Sequence, residues 1–250
     1  MYYNSRAVII KSVDYAENDK ILTVFTEAEG KVKAVAKGVK KAGSSLRICV
    51  QPFCHSFLHF RRGKDMEQIT QGKLLDFYGE VRDDINCALQ AMYIMEILDH
   101  AVMLKDPHPE LYENLLKVLA LLNGRGYNPL FIRYFEIQLL IVLGYAPTWD
   151  RCVACGRKKT GSTHFNIEGG GMVCGNCRAG FNNTFILSEE SLGILRLLSK
   201  TAVPVLARIK ASEAALRQLE NFLEKYMQYH LGKDFKMKNT IKNLQKIIPM

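Results

Sequence analysis

The chain of 250 residues has no uninterrupted apolar run near the roughly 18 residues that a membrane span needs. Its opening, Met1-Tyr2-Tyr3-Asn4-Ser5-Arg6, lacks the basic leader and long apolar stretch of a secretory signal. The expectation is a soluble, cytoplasmic protein with no membrane partner. It contains 7 cysteines, an odd number, which in a reducing compartment argues against a disulfide framework. There is no GxxxxGKS/T phosphate loop, no GxSxG elbow, no HExxH helix, and no carboxylate pair that stands out from an ordinary helix surface. Those absences favour a binding protein over an enzyme. Acidic residues are missing altogether between Lys31 and Lys64.

What is present is the composition of a globular protein, 48% hydrophobic and 24% charged, with a formal net charge of +9. The charge is uneven. Residues 1–80 carry 13 basic against 9 acidic side chains, 81–150 carry 5 against 9, 151–185 carry 5 against 1, and 186–250 carry 11 against 6. Basic segments flanking an acidic one suggest a polyanionic partner for the former and protein contacts for the latter.

Up to residue 80 the pattern is that of β-structure. The stretches 6–13, 20–27, 31–38, 51–60 and 68–77 are short, rich in Val, Ile, Phe and Thr, and separated by turn residues. Five such strands suit a small closed barrel. In 31–37 the alternation sets Lys31, Lys33 and Lys37 on one face and Val32, Ala34 and Ala36 on the other. The following "KGVKKAGSSLR" has the composition of a cationic loop. From about residue 84 the period becomes helical, with helices expected over 85–104, 109–124, 129–144, 187–200 and 212–232. The domains expected are therefore 1–80 (barrel), 81–149 (helical), 150–182 (cysteine module) and 183–250 (helical, packing back on the first helices), an α+β chain overall.

The cysteine module rests on Cys152-x2-Cys155 and Cys174-x2-Cys177, whose separation of 18 residues lies in the window for a four-thiolate zinc site. The intervening "THFNIEGGGMVC" can form a hairpin that brings the two pairs together. Between 150 and 180 only Val153, Phe165, Ile167, Met172 and Val173 are sizeable and apolar, too few to order thirty residues by burial. One structural Zn2+ supplies on the order of 10–16 kcal/mol in small modules. Four thiolates close the coordination sphere against catalytic water, and His164 is expected to be solvated. A redox role for the pairs is the weaker alternative, because no thioredoxin-like context surrounds them. Arg151, Arg157, Lys158, Lys159 and Arg178 stand either as phosphate contacts or as plain surface charge. Cys49, Cys54 and Cys87 are expected to be packing residues.

The acid-free run supplies Lys31, Lys33, Lys37, Lys40, Lys41, Arg47, Arg61, Arg62 and Lys64, the type of surface that tracks a phosphate backbone. Phe53, Phe57, Phe60 and Tyr15 are either stacking platforms for bases or barrel filling.

The run "DYAENDKILTVFTEAEGKVKAVAKGVKKAGSSLR" (14–47), "VQPFCHSFLHF" (50–60), "DPHPELYENLLKVLALL" (106–122) and "RYFEIQLLIVLGYAPTWDRCVACG" (133–156) with the double CxxC resemble the RecO family of bacterial DNA repair proteins over nearly the whole chain. The resemblance implies an N-terminal OB-fold, a helical domain with an inserted zinc module, and a recombination mediator located in the cytoplasm at the nucleoid. It implies binding of single- and double-stranded DNA, annealing of complementary strands, association with RecR, and help for RecA in displacing the single-stranded-DNA-binding protein through that protein's acidic C-terminal tail. On this sequence the implied DNA contacts are Lys31, Lys33, Lys37, Lys40, Lys41, Arg47, Arg61 and Arg62, and candidates for the tail are Arg125 and Arg133. The competing readings are a zinc-ribbon RNA-binding factor and, more distantly, a zinc-dependent enzyme.

Overall fold

The protein is described from a computed structural model covering residues 1–158, 163–200 and 203–247. By contacts along the chain it divides into two compact units. One comprises Met1–Tyr127 with Phe235–Met250, and the other comprises Asn128–Asp234. The division falls inside the 81–149 segment that the sequence pattern suggests is a single helical part.

The first unit begins with five strands, β1 (Tyr2–Tyr15), β2 (Asp19–Thr26), β3 (Gly30–Ala36), β4 (His55–Arg61) and β5 (Glu67–Asp76). They form a closed barrel in the order β1-β2-β3-β5-β4, with β4 returning to β1. β3 and β5 pair in parallel and the other neighbours are antiparallel. The long β1 serves two partners, and its register shifts between Ile9 and Lys11. Two further shifts interrupt β4 against β5. Bulges of this kind increase local twist, which lets a short sheet curl shut. Ala7, Ile9, Leu22, Val24, Val32, Ala34, Leu58, Phe60 and Ile69 fill the interior.

The β3–β4 connection closes the barrel rather than hanging free as a loop. It contains a single helical turn, α1 (Leu46–Cys49), whose Leu46 and Cys49 join Val39, Val50 and Cys54 in the barrel core. Gly72 on β5 makes room for it: a Cβ there would stand 2.9 Å from Leu58 Cδ2 and 3.1 Å from Leu46 Cδ2.

Helices α2 (Gly79–Asp83), α3 (Ile85–Ala101) and α4 (Pro109–Arg125) follow. The Asp84 carboxylate caps α3 by accepting from the Cys87 N–H at 2.7 Å, and Pro109 opens α4. The α3–α4 connection lies against the start of β3. Gly30, at φ +66, would place a Cβ 2.1 Å from the Asp106 carbonyl oxygen, and the Lys105 N–H donates to Lys31 O at 2.9 Å. The unit is completed by α9 (Lys236–Ile247), which packs on α3 and has no counterpart among the helices expected from the sequence.

The second unit holds α5 (Pro129–Val142), a three-stranded sheet in the order β7-β6-β8 built from β6 (His164–Asn166), β7 (Gly171–Met172) and β8 (Thr184–Ile186), and helices α6 (Glu189–Lys200), α7 (Val203–Leu206) and α8 (Glu213–Leu231). α6 and α8 both pack on α5. Residues 130–137 of α5 are buried without exception. The sheet continues past residue 182, because β8 pairs with β6. Phe165 anchors it, with ring centroids 5.2 Å from Trp149, 4.9 Å from Phe222 and 5.6 Å from Tyr226.

Candidate functional site

The cations of the acid-free run do not form one rail. Lys31 shares strand parity with Lys33, yet it is only 8% exposed, and its ammonium donates to the Asp99 carbonyl and stands 3.8 Å from the Asp99 carboxylate. Burial pushes its pKa down from the usual lysine value. The α3–α4 connection covers this end of β3, so alternation alone misplaces the side chain. Lys33 remains exposed on the same strand.

Lys37, Lys40 and Lys41 are exposed together in the turn after β3, and Arg47 is exposed on α1. The turn is tied down at both edges: the Gly38 N–H donates to Asp19 Oδ1 at 2.8 Å and the Lys40 N–H to Asn18 O at 3.0 Å. This ordered cationic ridge is the densest group among the expected DNA contacts. Arg61 is exposed and donates to Gln68. Arg62 is engaged elsewhere: it pairs with Glu29 at 2.9 Å, lies 4.0 Å from Glu67, and stacks its guanidinium 4.7 Å above the Tyr3 ring. Of the aromatics, Phe60 is fully buried and stacked on Tyr3, Phe53 is buried with Arg82 over its ring, and Phe57 is half-buried beside His59. Tyr15, 52% exposed, is the most open of the four.

The candidate tail contacts separate as well. Arg125 is exposed in the last turn of α4. Arg133 is buried on α5 and ion-paired to the fully buried Glu136 at 3.2 Å, which removes it from any basic rim. The second unit has a different concavity, a cavity of about 580 Å³ lined by residues that include Ile167, Phe185, Lys225, Gln228 and Tyr229. The Lys225 ammonium stands 5.5 Å from the Phe185 ring centre. Sequence pattern alone gives no hint of it, because its walls come from the β6–β7 turn, the β8 segment and α8, spread over some sixty residues.

Cys152, Cys155, Cys174 and Cys177 converge, with all four sulfurs within 4.8 Å of one another and Cys155 Sγ 3.8 Å from Cys174 Sγ. Four sulfurs each 2.3 Å from a single zinc lie about 3.8 Å apart, so the donor set fits that ion, whereas a disulfide needs about 2.05 Å. The β6–β7 hairpin brings the pairs together as its sequence suggests. Knuckle hydrogen bonds shape both turns: Gly156 N–H to Cys152 O, Cys177 N–H and Arg178 N–H to Cys174 O, and Cys174 N–H to Cys152 Sγ at 3.4 Å. Burial opposes ionisation of Cys152, but the N–H groups of Cys174, Cys155 and Ala154 outweigh it and bring the thiol down to about 6. Hydrogen bonding with the thiols of Cys174 and Cys155 holds Cys177 up at about 12. Four cysteines so placed could hold a metal ion. His164 lies outside the cluster, on β6 beside Thr184. Arg151, Arg157, Lys158 and Arg178 are exposed around it, and Lys159 lies outside the described residues. Cys49, Cys54 and Cys87 are buried, and burial raises all three thiols, Cys54 to about 11 and Cys87 to about 12, as suits inert packing residues.

Among the described residues no helix is long and apolar enough to cross a membrane. The family model described as recombination protein O N terminal matches residues 1–78, and that described as recombination protein O C terminal matches residues 82–239. The chain is 49% identical over 249 residues to a protein named DNA repair protein RecO from Syntrophomonas wolfei subsp. wolfei, covering 100% of this chain and 99% of the relative. A protein of the same name from Desulforamulus reducens is 32% identical over 245 residues, covering 98% and 95% of the two chains. One from Bacillus pumilus is 28% identical over 251 residues, covering 99% and 98%.

Proposed function

Because the chain belongs to the RecO family of DNA repair proteins, whose work is DNA repair and recombination, we propose that it acts as a recombination mediator through its barrel. The barrel, read as an OB-fold, binds single- and double-stranded DNA on the ridge of Lys37, Lys40, Lys41 and Arg47, with Lys33 and Arg61 flanking. The observation that carries this reading is the ridge itself: three exposed lysines on an ordered turn and an exposed arginine on the helical turn that follows, beside a closed barrel and in a stretch without one acidic residue. Neutralising phosphates on two strands lowers their mutual repulsion and favours annealing, with no covalent step.

In the same reading the protein works in the cytoplasm with RecR and helps RecA onto DNA coated by the single-stranded-DNA-binding protein. The acidic tail of that protein needs an apolar groove with a basic rim. The cavity of Ile167, Phe185 and Tyr229 beside Lys225 offers one, and Arg125 offers a separate cation. The four cysteines hold one Zn2+, which when bound crosslinks the two knuckles. The cysteines orient the β6–β7 hairpin, and Phe165 seats it on α8.

The test is binding and annealing of oligonucleotides across a salt series. Wild type should bind random single-stranded DNA with an affinity that falls linearly on a log–log plot against salt, and should accelerate annealing. Lys37, Lys40 and Lys41 changed together to Glu should weaken binding at least about tenfold and lower the slope by about 0.7 for each phosphate no longer neutralised. An unchanged slope removes the ridge as the DNA site, and a strong preference for particular RNA sequences favours the zinc-ribbon RNA reading instead.

A further inference from the structure

Beside the cationic ridge lies a cavity of about 280 Å³ lined by Asp14, Lys20, Val39, Lys40, Arg47 and Gln51. Three of its walls are cationic, its one acidic group is Asp14, and Val39 supplies a buried apolar floor. Asp14 and Lys20 face each other across the β1–β2 pairing. The Asp14 carboxylate accepts from both lysines: Oδ1 lies 3.0 Å from Lys20 Nζ and Oδ2 lies 3.1 Å from Lys40 Nζ. Those two hydrogen bonds hold its carboxyl below the usual aspartate range. Arg47 is exposed and lines the cavity.

The arrangement has the dimensions and charge of a phosphate site with a counter-ion already in it. One carboxylate offers two acceptor oxygens to two ammonium groups, as a phosphodiester does with its two non-bridging oxygens. Asp14 is anchored to the strand but 61% exposed at its side chain, whereas Lys20 is 22% exposed and Lys40 36%. The lysines can therefore turn their ammonium groups toward an incoming anion while the carboxylate is rehydrated where it stands. Lys20 and Asp14 lie before the acid-free run, which is why the sequence pattern does not assign them.

We propose that Lys20, Lys40 and Arg47 form a discrete seat for a phosphate of the nucleic-acid backbone, and that Asp14 is its resident competitor, which the phosphate must displace. The inference rests on the reading that the barrel binds DNA. Its consequence is an attenuated interaction: each time a strand leaves, the lysines return to Asp14, so release does not require water to solvate two bare ammonium groups. A protein that brings strands together and then gives them up gains turnover from such a competitor.

The decisive measurement is equilibrium binding of oligothymidylate to Asp14→Asn over a salt series, beside wild type and the Lys37/Lys40/Lys41→Glu variant. Asp14→Asn should bind about 3- to 10-fold more tightly at low salt, the scale that two exposed ion pairs of ordinary strength set, with a slope steeper by about 0.7. Glu110→Gln, the same charge change at an exposed position in the first turn of α4, should leave affinity near wild type. In the Lys20→Gln/Lys40→Gln background Asp14→Asn should bring no gain, because the coupling is lost. If the triple Glu variant binds normally, the ridge is not the DNA surface and the inference falls with that reading. If the triple variant is weakened but Asp14→Asn binds no better than wild type, or the gain survives in the double Gln background, the inference alone is overturned. A further arm compares inorganic phosphate with chloride at matched ionic strength. Tighter binding of inorganic phosphate by Asp14→Asn without any gain for the oligonucleotide assigns the seat to a free anion and also overturns it.

Discussion

Lys31 and Lys33 sit two positions apart on one strand and have opposite fates. The Lys31 ammonium reaches the Asp99 carbonyl in the last turn of α3, where a helix leaves its carbonyls unpaired and its dipole favours a cation. Lys31→Ala should lower the stability of the first unit by about 1–3 kcal/mol, the cost of a buried acceptor left unsatisfied, and leave DNA affinity close to wild type. Lys33→Ala should leave stability within about 0.5 kcal/mol; chemical denaturation of the two variants separates the cases. Strand parity is readable in the sequence, but the cover over Lys31 comes from residues 104–107, and alternation carries no information about what a distant loop shields. His230, set among Tyr145, Tyr226 and Tyr229, ties stability to pH. Burial holds its imidazole below the ordinary value of about 6.5. As pH falls, the unfolded chain takes up the proton first, so stability is fully present above about pH 6.5 and is lost as pH falls from there toward the folded value. His230→Phe should reduce the difference between unfolding free energies measured at pH 7.5 and 5.5.

At the scale of elements, the cysteine module and α9 show two ways of ordering a segment that its own sequence does not stabilise. The module is legible because ligand spacing is local, and the hairpin between its pairs follows from the glycines. Its seating on α8 through Phe165 is not legible, since that requires knowing that Phe222 and Tyr226 face it. Cys155→Ser, or removal of metal by a chelator, should release about one zinc per chain and open residues 150–182 to protease, while the barrel's DNA affinity is kept. Metal analysis paired with limited proteolysis checks both parts. α9 escapes a reading by pattern because "KMKNTIKNLQKI" is lysine-rich and carries no cap of its own. Its cap is Glu96 on α3, whose two carboxylate oxygens accept from the Lys236 and Met237 N–H groups at 2.9 and 2.8 Å, a carboxylate at the positive end of the helix dipole. Glu96→Ala should cost about 0.5–2 kcal/mol and raise amide exchange in the first turns of α9 before any other helix of that unit.

For the whole molecule, the order of the barrel strands and of α3, α4, α5, α6 and α8, and the family, are accessible from the sequence, because each rests on pattern within a few dozen residues. The partition into units is not, because it depends on Phe235 meeting Tyr93 edge to face at 5.9 Å across more than half the chain. Truncation after Asp234 should lower the melting temperature of the barrel-containing unit by several degrees and increase exchange on the face of α3 that carries Tyr93, Glu96 and His100. A helix outside this contact, such as α4, serves as the internal control.

The same discontinuity sets a timetable on the ribosome. When Tyr127 leaves the exit tunnel the barrel and its first helices are present, but their last helix is still untranslated, with roughly a hundred residues to come. At about 5–20 residues per second the docking face of α3 waits on the order of 5–20 seconds for its partner. During that interval Tyr93 lacks its edge-to-face contact with Phe235, and Glu96 has no N–H groups of α9 to accept from. The second unit lies wholly within the interval and can fold first. The barrel emerges ahead of the second unit, yet the unit that holds it is the last to be finished.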